Sequence, residues 1–209
     1  MVETISELPF IKFNKHDLVL HIGCGRGKQL QYLTSKYESI CVGIDIVPFK
    51  ISNFIVSDVC YLPFRNEIFD IVFSLGVIEH TKETEKAVTE SRKVLRNRGQ
   101  CLHSVPNMFS LHTFLERPLT NILFKKWSVG FEQSFTSKKI MNMFYENDFI
   151  AINLETMSKS IGKSKIYQLN QIESLFYLFI KEMDRFLSKI IPYWGFFLSI
   201  YARADESSL

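Results

Sequence analysis

Several arrangements are missing from this sequence, and each absence narrows its chemistry. No two of the four cysteines (Cys24, Cys41, Cys60, Cys101) form a C-x-x-C pair, and no Cys/His array has zinc spacing. Free buried thiols are therefore expected, with no metal site. No run of five or more cations occurs and the net charge is only +3, so nothing favours nucleic acid as a partner. No stretch approaches the roughly 18 apolar residues of a membrane span. The first residues, Met-Val-Glu-Thr-Ile-Ser-Glu, lack the basic start and apolar run of a secretory signal. A cytoplasmic location is the expectation. With 209 residues, 46% of them hydrophobic, the chain is long enough to build one domain with a sizeable core.

Against this background, three glycines crowd into Leu18-Val-Leu-His-Ile-Gly-Cys-Gly-Arg-Gly27. Gly23, Gly25 and Gly27 follow a short apolar run and precede a helical pattern with Leu30, Leu33 and Tyr37 three and four apart. A strand entering a helix through such a loop lets a ligand approach bare backbone and free N–H groups. The spacing is not the dinucleotide fingerprint, because Lys28 stands where a third glycine would be needed, and no phosphate-binding G-x-x-x-x-G-K-[ST] occurs. Further β-prone runs follow at 39–44, 53–57, 68–74 and 100–105. Asp45 closes the first of these, about 20 residues after the loop, where a carboxylate can accept from a ribose hydroxyl pair.

In order and spacing, Val-Leu-His-Ile-Gly-Cys-Gly-Arg-Gly, Gly43-Ile-Asp45, Ser57-Asp-Val-Cys-Tyr-Leu-Pro-Phe64, Phe69-Asp-Ile-Val-Phe-Ser74 and Val77-Ile-Glu-His80 resemble the Rossmann-like S-adenosylmethionine-dependent methyltransferases. The resemblance covers roughly residues 16–106. It implies an α/β fold: a doubly wound, mostly parallel seven-stranded sheet, helices on both faces and an antiparallel last strand. It also implies S-adenosyl-L-methionine as cofactor. Gly23, Gly25 and Gly27 would pass under its methionine and ribose. Asp45 would hold the ribose, and Ile46 would pack on the adenine. Asp58 and the N–H of Val59 would meet the adenine edge. Ser74, Leu75 and Gly76 would line the methyl-donor end. His21 replaces the acidic residue usual two positions before the first glycine. If its imidazole accepts from the cofactor's ammonium, affinity should weaken as falling pH protonates it; the other reading is that it packs in the strand.

Beyond Pro106 the chain is rich in phenylalanine. One domain spanning 1–209 is expected, with lid insertions near 107–135 and 159–191. Helices are expected over 81–96, with Thr81 as N-cap, and over 137–147, and strands over 148–157 and 194–203. The last of these would lie antiparallel between the fifth and sixth strands, as the resemblance implies. Ile172, Phe176, Phe179, Met183, Phe186 and Ile190 form a helical stripe. Packing against the chain's own sheet or lid is the leading reading. A pocket wall or dimer face, and an interfacial helix giving peripheral membrane contact through 170–191, are the others.

The function expected is methyl transfer to a small, partly apolar acceptor at oxygen or carbon. His80 leads as the group removing a proton, because an imidazole titrates near neutral pH. Capping of the next helix is its structural alternative. His103, His112 and Glu132 are weaker candidates. The rival class is a degenerate, non-catalytic binding module, kept open by His21. The acceptor and the oligomeric state are not legible.

Overall fold

The computed structural model describes residues 11–116, 131–157, 171–195 and 197–205. Seven strands within them form one sheet in the order β3-β2-β1-β4-β5-β7-β6. The strands are β1 (Leu18–Ile22), β2 (Ile40–Asp45), β3 (Phe54–Val56), β4 (Phe69–Leu75), β5 (Leu95–Pro106), β6 (Phe149–Met157) and β7 (Phe197–Ala204). All neighbours pair in parallel except β7, which runs antiparallel to both β5 and β6. The expected fold class is therefore realised, with the antiparallel strand inserted beside β5.

The central strands are apolar almost throughout because both faces are covered. Successive residues alternate between two cores. Leu20, Ile22 and Val72 enter the larger one, which lies under α2 (Thr84–Val94) and α3 (Ser137–Tyr145); Val19, Ile71 and Phe73 enter the other, beneath α1 (Lys28–Tyr37). The α1 helix spans the range its periodicity predicts, with Leu30 and Leu33 buried. The next helix is shorter than expected. Thr81 lies outside it, its hydroxyl accepting from Glu83 N–H at 3.1 Å, while the Thr84 hydroxyl donates back to the Ile78 and Thr81 carbonyls. At its other end Leu95 leaves the helix to pair with Phe69. Thr136 caps α3 by accepting from Lys139 N–H at 3.2 Å.

The apolar stripe requires a correction. On α4 (Gln171–Leu187) and just beyond it, Phe179, Phe186 and Ile190 are 57–62% exposed, and Met183 is also open to solvent. The buried face is instead Ile180 and Asp184, each 1% exposed. One Asp184 carboxylate oxygen accepts from Leu111 N–H and from the Trp194 indole N–H, both at 2.8 Å. These bonds turn the Ile180–Asp184 face inward and rotate the neighbouring stripe outward, since adjacent residues differ by about 100° around a helix. They also join α4 to the short turn His112–Glu116 that follows β5. Leu119, Phe124 and Trp127 of the expected lid, and residues 159–170, lie outside the described residues. No described helix is long and apolar enough to cross a membrane.

Candidate active site

The carboxyl ends of β1, β2 and β4 meet where strand order reverses, the usual ligand position in a doubly wound sheet. A cleft of about 730 Å³ opens there, within the range of small-molecule sites. Ile22 and Gly23 close its floor against Leu75, Gly76 and Val77. Gly23 holds φ +69°, and a Cβ there would lie 2.2 Å from Val77 Cγ2. Only glycine lets the loop and the β4 exit touch.

Asp45 organises one wall. One carboxylate oxygen accepts from Gly25 N–H and the other from Val47 N–H, both at 3.0 Å. Each oxygen keeps acceptor capacity, because a carboxylate offers about four lone-pair sites. Asp58 lies on the same wall with one oxygen taking Cys60 N–H at 2.8 Å. Two anchored acceptors, a glycine floor and apolar neighbours fit a ligand with hydroxyls and an amino-bearing aromatic ring.

Of the residues singled out from the sequence, Gly23, Asp45, Ile46, Asp58, Val59, Leu75 and His80 line the cleft. Gly25, Gly27, Ser74 and His21 do not. Gly25 contributes its N–H to Asp45, and Gly27, at φ +71°, caps α1 without a side-chain bond. Ser74 is fully buried, and its hydroxyl has no partner among the described residues. His21 is 4% exposed and stacks on Phe73 with ring centroids 4.1 Å apart. Burial lowers its pKa to about 3, so the imidazole stays neutral where a solvated one would titrate. Of the two readings open for His21, this burial and stacking favour packing in the strand. His103 is likewise buried inside β5 and pushed down to about 3 by desolvation. The His112 side chain lies outside what the structure describes, and Glu132 is half-buried.

His80 stands at the cleft wall after the short turn Ile78–His80. Its Nδ1 lies 2.9 Å from the carbonyl oxygen of Phe131. A carbonyl can only accept, so Nδ1 carries the proton and Nε2 of the neutral ring carries a lone pair. Glu79 was missed as a group of interest. It is 2% exposed, one carboxyl oxygen lacks a partner among the described residues, and burial raises its pKa to about 8. Its tertiary surroundings, invisible in the sequence, cause this.

A sequence model described as "Methyltransferase domain" matches residues 20–103. An uncharacterised protein of Methanocaldococcus jannaschii is 29% identical over 90% of this chain and 79% of its own length. Ajmaline N-methyltransferase of Rauvolfia serpentina is 29% identical, but over 43% of this chain and 36% of its own length. Among solved structures, the methyltransferase-type chain in complex with the Haloferax volcanii Trm112 methyltransferase activator shares the fold at TM-score 0.69 and 15% identity, over 98% of this chain and 88% of that one. Phosphoethanolamine N-methyltransferase 2 of Haemonchus contortus, solved with S-adenosylhomocysteine, gives TM-score 0.63 at 18% identity, over 94% of this chain and 51% of that one. These two likenesses speak to fold alone. Domain match, sheet order and glycine-floored cleft together identify a Rossmann-like S-adenosylmethionine-dependent methyltransferase. S-adenosylmethionine is its cofactor.

Proposed function

We propose that the enzyme methylates a small, partly apolar acceptor at oxygen or carbon, with His80 removing the acceptor's proton. One observation carries this reading. The Phe131 carbonyl at Nδ1 leaves Nε2 of His80 as a bare acceptor at the cleft wall. Bound in the cleft, S-adenosylmethionine supplies an electrophilic methyl group on a sulfonium. Asp45 would hold the ribose hydroxyls through its free lone pairs. Asp58 and the Val59 N–H would hold the adenine edge, with Ile46 against the ring. Leu75, Val77 and Phe131 offer the acceptor an apolar surface and exclude water from the reacting end. An acceptor hydroxyl, or an acidic carbon, would give its proton to Nε2 and so become the nucleophile for that methyl, whose bond to sulfur would break as the new bond forms, leaving a neutral thioether. We further propose that the segments inserted after β5 and β6 cover the acceptor. The Asp184 bonds to Leu111 and Trp194 support this by joining the two insertions.

His80→Gln tests the assignment. Gln keeps a polar group at the wall but cannot take a proton. The expected result is a kcat lower by about 10²–10⁴-fold, the usual worth of a general base, with S-adenosylhomocysteine affinity unchanged. A kcat within threefold of the parent's would remove His80 from the chemistry.

A further inference from the structure

We infer that Gln133 is a positioning residue for His80, tying the segment Phe131–Phe135 across the turn so that the Phe131 carbonyl sets the imidazole's tautomer. The inference rests on the proposed role of His80 for its kinetic consequence. The positioning itself stands on geometry.

Three bonds from one residue straddle His80. Gln133 N–H donates to the Glu79 carbonyl at 3.0 Å. Its side-chain amide donates to the Thr81 carbonyl at 2.9 Å and to the Thr84 hydroxyl at 3.3 Å. The backbone on both sides of His80 is thus held by Gln133. Two residues further on, the segment is anchored to the end of β5. Phe135 N–H donates to the Pro106 carbonyl at 2.9 Å, and Met108 N–H donates to the Phe135 carbonyl at 2.8 Å. With 133 and 135 fixed, the carbonyl of Phe131 stands within 2.9 Å of Nδ1.

The consequence is chemical. Which imidazole nitrogen is protonated follows from the hydrogen bond the other makes. Without the carbonyl at Nδ1, the neutral ring can carry its proton on Nε2 and then has no lone pair where the acceptor's proton must go. Charged groups around the ring do not impose the same choice. Glu79 Oε1 lies 3.9 Å from Nε2, beyond hydrogen-bonding distance, and burial keeps that carboxyl protonated near neutral pH. Lys82 shares the cleft wall with His80, its ammonium 6.0 Å from the centre of the Phe131 ring. Asp45 and Asp58 lie elsewhere along the cleft lining, and Glu132 adjoins Gln133 in the strap.

The test uses the full chain carrying ¹⁵N-labelled histidine. Long-range ¹H–¹⁵N spectra distinguish protonated from bare ring nitrogens, and His80→Gln assigns the His80 signals. Expected in the parent is a protonated Nδ1 and a bare Nε2. Gln133→Leu should yield mixed tautomers, with kcat lower by about tenfold, a fraction of a general base's worth. KM and S-adenosylhomocysteine affinity should stay within twofold. If Gln133→Leu does not fold, Gln133→Glu, which keeps the side-chain length but cannot donate to Thr81, is read in the same way. A parent Nε2 that carries the proton overturns the inference. So does a folded variant with the parental tautomer. Full activity in His80→Gln would sink the proton-removal role instead, while the tautomer spectra still decide whether Gln133 positions the ring.

Discussion

Asp45→Ala is expected to weaken S-adenosylhomocysteine binding by at least 100-fold in calorimetry. The carboxylate is expected to accept from both ribose hydroxyls, and hydrogen bonds to a charged group contribute about 1.5–3 kcal/mol each. Two such bonds amount to roughly 3–6 kcal/mol, or about 10²–10⁴-fold in affinity. The substitution also removes the acceptors of the Gly25 and Val47 N–H groups, so the glycine loop loses its tie to the end of β2. Asp45→Asn separates the two effects. It keeps one oxygen and the side-chain shape, so it should restore much of the loop tie and part of the affinity. An Asp45→Ala affinity within threefold of the parent's would show that the ribose is held elsewhere.

Stability is expected to peak near pH 6.5 and to fall on both sides, because three buried groups titrate abnormally. His21 and His103 have folded pKa values lowered to about 3 by desolvation. In the unfolded chain each takes a proton near pH 6.5. Between those limits the unfolded state binds more protons, so stability is lost as pH falls. Each histidine can cost roughly 4 kcal/mol by pH 3, at 1.36 kcal/mol per pKa unit. Glu79 acts in the opposite direction. Its folded pKa is raised to about 8, whereas the unfolded carboxyl ionises near pH 4.5. The folded state then holds the extra proton, and stability falls as pH rises from about 4.5 to 8. Below pH 6.5 the two histidines outweigh the one carboxyl; above it the carboxyl dominates until, near pH 9, the four cysteine thiols, which burial also raises, add to the loss. Urea unfolding across pH 4–9 should show this dome. His103→Phe, whose ring can occupy the site packed on Phe144, should reduce the acid limb. Glu79→Gln should flatten the alkaline limb and raise stability at pH 8. A profile flat across this range in the parent would mean these side chains are not buried as described.

Much of the cofactor half was readable in advance because its signals are local. Gly23 needs a positive φ at a strand exit. Asp45 and Asp58 sit at strand ends, where short loops leave little freedom of placement. The strand runs stand out as short, nearly continuous apolar stretches, as strands covered on both faces do. What was not readable concerns relations between distant segments. His21 and Ser74 belong to strands whose side chains alternate between faces, and both are buried without lining the cleft, a placement that strand position does not record. The stripe at Phe179, Met183, Phe186 and Ile190 is a correct helical period on the wrong face. Helical spacing groups residues together but does not say which group turns inward. That choice was made by Asp184, through donors 73 and 10 residues away.

The sequence by itself determined the sheet class, the glycine loop and the acids at the strand ends, because each depends on backbone conformation and spacing over a few residues. Tertiary structure alone decided three things. It buried His21 against Phe73, brought Phe131 and Gln133 across 51 and 52 residues onto His80 and Thr81, and removed Glu79 from water. Hydrogen bonds and desolvation of this kind act between groups brought together only by folding, so no local pattern records them.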